Sequence, residues 1–186
     1  MENINLTSVK DVLPKSRNRF VNFVNPGPIP EDLLYVPGFV EDLVGWTLCR
    51  SHSPNRTLAF AGALAMLAHL SGRTFTDTAG TRTNLYVIAL APSGSGKESP
   101  RSMNNLLAKS LGISCSIMDN VASGEALEDE LVKMPSLLLQ SDEIAMLFGQ
   151  MRGQGRISKA LSGRLRTLFT SSGHDYTLRK KANSTG

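Results

Sequence analysis

The feature that most constrains this chain is the run Ala91, Pro92, Ser93, Gly94, Ser95, Gly96 and Lys97. It follows residues 84–90 (NLYVIAL), a near-continuous apolar stretch with β-branched and aromatic members. Such a stretch suits a strand buried on both faces, as in a parallel sheet. After it comes a helical pattern to Leu111, with Met103, Leu106, Leu107 and Leu111 on one face. Pro100 falls in that helix's first turn, where a missing N–H costs little. A glycine-rich turn between strand and helix lets successive backbone N–H groups curl around an anion. The helix N-terminus adds partial positive charge, and Lys97 can reach the outer phosphates as a point charge. The competing reading is a flexible Gly/Ser turn with a chance lysine.

The loop departs twice from the standard phosphate-loop spacing G-x-x-x-x-G-K-[ST]. Ala91 stands where the first glycine is expected, and Glu98 replaces the hydroxyl residue that normally holds Mg²⁺. Either the Glu98 carboxylate ligates the metal, or Ser99 substitutes, or metal binding is weak. The nucleotide-binding set is therefore Pro92, Ser93, Gly94, Ser95, Gly96, Lys97, Glu98 and Ser99.

A second apolar run, residues 136–141 (SLLLQS), ends in Asp142 and Glu143. The pair suits a division of labour in ATP hydrolysis. Asp142 would hold Mg²⁺ through its water shell, and Glu143 would orient or deprotonate the attacking water. Acids after an apolar run can equally cap the next helix.

Elsewhere, residues 1–37 hold five of the nine prolines and read as an extended lead-in. Helices are expected over residues 40–50, with Leu43, Trp46 and Leu48 apolar, and over 55–71, rich in small residues. A short strand is expected at 74–76 and another at 113–118, then a Ser123-capped helix to Lys133. Two helices and a hairpin-like basic segment follow. Glu125, Glu128, Asp129 and Glu130 read as a solvated helix face, and His69 as a satisfied core histidine. Alternating strands and helices predict an α/β domain with a mostly parallel sheet, whose ligands bind beyond the carboxyl ends of the strands. The expected division is a lead-in over 1–37, a helical subregion over 38–73 and a phosphate-loop core over 74–186.

Residues 151–181 hold eight cations against one acid, Asp175. This suits a polyanionic partner or a solvated helix face. Arg152 and Arg156 sit among Gly149, Gly153 and Gly155, a combination that can track nucleic-acid phosphates. Arg164, Arg166 or Arg179 could instead reach a neighbour's nucleotide as an arginine finger. Cys49 and Cys115 lack metal-ligand spacing and fit a reducing compartment. The longest apolar run, residues 58–70, is too short to span a bilayer. A cytoplasmic protein is expected.

The stretch TNLYVIALAPSGSGKESPR (residues 83–101) resembles the P-loop ATPases of phages, prophages and plasmids, an uncharacterised, replicative-helicase-like group. Residues 120–127 (NVASGEAL) and 137–144 (LLLQSDEI) are similar too, as is the helical lead-in from Pro37. The resemblance spans residues 37–181. It implies a RecA-like three-layer core, ATP with Mg²⁺, and a role in replicating or processing mobile-element DNA. By it, Lys97 is the Walker A lysine and Asp142 and Glu143 the Walker B acids, with Glu98 a trait of the group. The implied partners are DNA, single-stranded by preference, and further copies of the chain. Gly186 comes only about two elements past the acidic pair, so a core incomplete at its C-terminus is expected. The alternative is a non-catalytic nucleotide-binding adaptor; a small-molecule kinase ranks below both.

Overall fold

In the computed structural model, which describes residues 27–152 and 156–173, helices dominate. After a 3₁₀ turn at Glu31–Leu34 come α1 (Phe39–Arg50), α2 (Arg56–Ser71) and α3 (Glu98–Ser110). A 3₁₀ turn at Ser114–Ser116 leads into β1 (Ile117–Met118). The remainder is α4 (Gly124–Lys133), β2 (Leu138–Leu139), α5 (Ile144–Arg152) and α6 (Arg156–Thr170).

Side-chain caps set two of the starts. Asn55 Oδ1 accepts the Leu58 N–H at 3.1 Å ahead of α2, and Ser123 Oγ accepts the Ala126 N–H at 3.1 Å ahead of α4. Each cap satisfies an amide that has no partner within its helix. The Ser123 start and Lys133 end match the sequence expectation.

β1 and β2 pair in parallel, Ile117 opposite Leu138 and Met118 opposite Leu139. Alternation along β2 sends its side chains to two cores. Leu138 joins Val40, Leu43, Val44, Ala59, Ala63 and Met66 on the α1–α2–α3 side. Leu137 and Leu139 pack instead on Val121, Leu127 and Leu161, on the α4–α6 side. The buried positions of α1 are Val40, Leu43, Val44 and Thr47, an i, i+3, i+4, i+7 stripe. Trp46, expected among the apolar contacts, is 51% exposed. On α3 the buried stripe is Pro100, Met103, Asn104 and Ala108, while Leu106 and Leu111 face outward. Small residues let α2 and α3 approach closely: a β-carbon added at Gly62 would collide with Pro100.

The expectation of a RecA-like three-layer α/β fold with a mostly parallel sheet is overturned. Among the described residues the sheet is two strands of two residues each, and the architecture is mainly helical. Residues 74–76 form no strand, and of residues 113–118 only Ile117 and Met118 are extended into a ladder. The largest departure is at 84–90, which is neither strand nor core. Leu85, Tyr86, Val87, Ile88 and Leu90 are all exposed. A strand needs ladder partners for its backbone, and among the described residues no segment pairs with this one. Side chains anchor the beginning of the run instead. Thr83 Oγ1 donates to Ala68 O at 2.9 Å, Asn84 Nδ2 to Phe169 O at 3.0 Å and Tyr86 Oη to Leu165 O at 2.7 Å. The Tyr86 and Phe169 rings meet with centroids 5.2 Å apart. No helix among the described residues is long and apolar enough to cross a membrane.

His69 joins α2 to the entrances of both strands. Its Nε2 lies 2.9 Å from Ser116 Oγ and its Nδ1 3.2 Å from Ser136 Oγ, while Ser136 Oγ donates to the His69 carbonyl at 2.7 Å. Burial holds the imidazole below its ordinary value of 6.5. The unfolded chain therefore takes up a proton near pH 6.5 that the folded chain resists until lower pH. Stability is retained above that value and falls as the pH drops through the interval beneath it. The wild-type melting temperature should be lower at pH 5.5 than at pH 7.5, and His69→Gln should shrink that difference. An equal pH response in both proteins would remove His69 as its source.

Candidate phosphate-binding loop

The segment between residue 90 and α3 is a chain of tight turns. Ser95 N–H donates to Pro92 O at 3.4 Å, and Ser95 Oγ donates to the same carbonyl at 2.5 Å. Gly94 and Gly96 take φ of 76° and 80°, the left-handed region that side chains with a β-carbon avoid. Lys97 then turns into α3, and its ammonium reaches back to Ala91 O at 2.9 Å. The lysine thus closes the loop on itself from an exposed position. Lys97 stands at the N-cap of α3 with no side-chain cap, unlike Asn55 and Ser123 ahead of α2 and α4. A helix start of this kind keeps amides directed outward and carries partial positive charge.

The turn between α1 and α2 packs against this loop. Ser51 Oγ and Ser99 Oγ are 2.8 Å apart, and Ser53 N–H donates to Ser51 Oγ at 3.2 Å. A β-carbon at Gly96 would collide with the Ser53 carbonyl oxygen. On the other side, Glu98 Oε1 accepts from Arg101 Nε at 3.1 Å, and Arg101 Nη1 lies 3.5 Å from Asp119 Oδ1. Glu98 is therefore occupied by a cation of its own helix.

The acidic pair follows β2 in the chain, and residues just past both strands contact α3. Asp119, just past β1, meets Arg101 in the first turn of α3. Gln140, just past β2, donates its backbone N–H to Met118 O at 2.8 Å. Gln140 Oε1 accepts from Asn104 Nδ2 at 3.0 Å, and its Nε2 donates to Asn105 Oδ1 at 2.9 Å. Asp142 and Glu143 follow directly, both exposed, ahead of α5. The carboxyl ends of both strands are thus tied to the helix that the glycine loop opens. Among the described residues no three His, Cys, Asp or Glu groups come together as a ready-made metal cage.

The candidate cations separate. Arg164 Nε lies 2.9 Å from Glu128 Oε1, a pair in which Glu128 is 5% exposed. Glu128 therefore does not belong to a solvated face. Gly124, Leu127, Glu128 and Leu131 recur at i, i+3, i+4 and i+7, which turns this one acid of the cluster toward α6. Arg166 is exposed on α6. Arg152 and Arg156 contribute backbone to α5 and α6, and Arg179 lies outside the described residues.

Motif reading passed over Asn104, Gln140, Arg101 and Asp119. Asn104 did carry a signal, as a polar residue on the buried stripe of α3. Ser51 and Ser53 carried none, because their contact with the loop spans more than 40 residues of chain. Comparison with known proteins finds no family model, curated protein or solved structure that matches this chain.

Proposed function

We propose that this chain binds ATP on its glycine loop and hydrolyses it in the service of DNA replication or processing. One observation carries the reading: a loop with two left-handed glycines opens an uncapped helix, and a lysine closes over it. Triphosphate binding would move the Lys97 ammonium from Ala91 O to the phosphate oxygens, and the amides of residues 93–97 would turn toward them. Mg²⁺ is ordinarily held by one or two carboxylates together with the substrate phosphates, where it neutralises developing charge. Asp142 is the carboxylate available for that task. Glu143, its neighbour, would accept a proton from the attacking water. Exposed Arg166 and the basic residues around it supply the electrostatic attraction for DNA.

A second reading, nucleotide binding without turnover, is favoured by the Glu98–Arg101 pair, which engages the carboxylate standing where a metal-binding hydroxyl is usual. Hydrolysis by the purified chain, with and without single-stranded DNA, separates the two. Lys97→Ala should weaken ATP binding by about tenfold to a hundredfold, the worth of one charged hydrogen bond. Glu143→Gln should retain binding and lower turnover by about 10²–10⁴. Lys97-dependent binding without turnover selects the adaptor. ATP binding indifferent to Lys97 rejects both.

A further inference from the structure

The connection between α1 and α2 touches the glycine loop at two places, and both contacts bear on an anion held there. Ser53 presents its carbonyl oxygen directly over Gly96, so closely that no side chain fits between them. Ser51 brings its hydroxyl to 2.8 Å from that of Ser99, in the first turn of α3. Ser51 Oγ also accepts the Ser53 N–H at 3.2 Å, which fixes the serine on its own turn. With that lone pair engaged, the Ser51 proton can be donated to Ser99 Oγ. The Ser99 proton is then free to point into the loop. A hydroxyl aimed in this way supplies one further donor to a phosphate oxygen, beside the backbone amides and Lys97.

We propose that Ser51 is a positioning residue for the phosphate site: it orients the Ser99 hydroxyl toward the bound nucleotide, while Ser53 pins Gly96 in its left-handed conformation. The inference rests on the nucleotide-binding reading above. It also adds to that reading, because it places the α1–α2 connection in the wall of the site. Glu41 and Arg56, on either side of the connection, hold that helical pair together through a 2.6 Å ion pair.

The experiment is titration of the full chain with a fluorescent ATP analogue in the presence of Mg²⁺, using wild type, Ser51→Ala, Ser51→Thr and Lys97→Ala, with a melting temperature for each. Ser51→Ala should bind about tenfold more weakly, the effect of losing one oriented hydrogen bond. Its melting temperature should match wild type, and Ser51→Thr should recover most of the affinity. Wild-type affinity in Ser51→Ala, alongside weakened binding in Lys97→Ala, overturns the positioning role and leaves the nucleotide site standing. A loss of affinity that threonine does not restore, or that comes with a lower melting temperature, also overturns it. Equal binding by wild type and Lys97→Ala rejects the nucleotide site itself, and the positioning role with it.

Discussion

Glu128→Ala is expected to lower the unfolding free energy by about 1.5–3 kcal/mol, the worth of a charged hydrogen bond, because it takes the buried Glu128 carboxylate away from the partly buried Arg164 guanidinium in the α4–α6 interface. At roughly 2–4 °C per kcal/mol for a chain of this size, the melting temperature should fall by about 3–12 °C. The cost arises from breaking the pair more than from the pair's own net worth. The buried carboxylate and the partly buried guanidinium both lose hydration, and their attraction only offsets that loss. A Glu128→Leu, Arg164→Met double variant should therefore be more stable than either single one, since it removes both charges and adds apolar volume beside Leu127 and Leu161. Thermal unfolding of wild type, Glu128→Leu, Arg164→Met and the double variant decides the matter. Additive losses in the double variant would mean that the two side chains do not act on each other. The same pairing bears on function. Arg164 reaching a neighbour's nucleotide as an arginine finger would have to give up its contact with the buried Glu128 carboxylate. Arg166, exposed one position beyond Leu165, carries no such penalty.

Gly96→Val should abolish ATP binding and leave most of the fold intact. Two independent costs meet at this position. Its φ of 80° is strained for any residue with a β-carbon, and a β-branched one tolerates it least. The Ser53 carbonyl occupies the space the new side chain needs, so the loop or the α1–α2 turn must shift. The combined strain is on the order of 1–3 kcal/mol, enough to displace the loop and not enough to unfold the helices packed on Met66 and Leu43. Nucleotide titration with circular dichroism on the same sample tests this. Wild-type affinity in Gly96→Val would show that the conformation at this glycine does not govern the site.

Local signals in the chain were enough for much of the architecture. The small-residue composition of α2, the Ser123 cap and the proline in the first turn of α3 each act within one or two helical turns, whereas of the apolar positions expected on α1 Trp46 faces outward. Helix hydrogen bonds close over four residues, so such signals are complete in the linear order. The glycine loop was legible for the same reason: two glycines and a lysine at the start of a helix are contiguous. The position of the acids just past β2 was legible too, since an apolar run followed by Asp142 and Glu143 places them at a strand end.

Residues 84–90 mark the limit of that legibility. An apolar run of seven residues reads as a buried strand, yet its state depends on what lies beside it. A strand has no internal hydrogen bonds, so a sequence with high β-propensity becomes sheet only where another segment offers a ladder. Here the side chains of Thr83, Asn84 and Tyr86 tie the segment to α2 and α6 and leave its apolar residues outward. Glu128 is the converse case. Four acids in one short stretch look solvated, and only the packing of α4 on α6 singled out one of them for burial beside Arg164. What the sequence alone determined were the helices, the Ser123 cap and the glycine loop, each held by contacts a few residues apart. What only the tertiary structure decided was which apolar and charged residues found distant partners: the narrow sheet, the outward-facing run, the buried ion pair and the Ser51–Ser99 contact. Those outcomes depend on interactions between segments far apart in the chain, which no local pattern encodes.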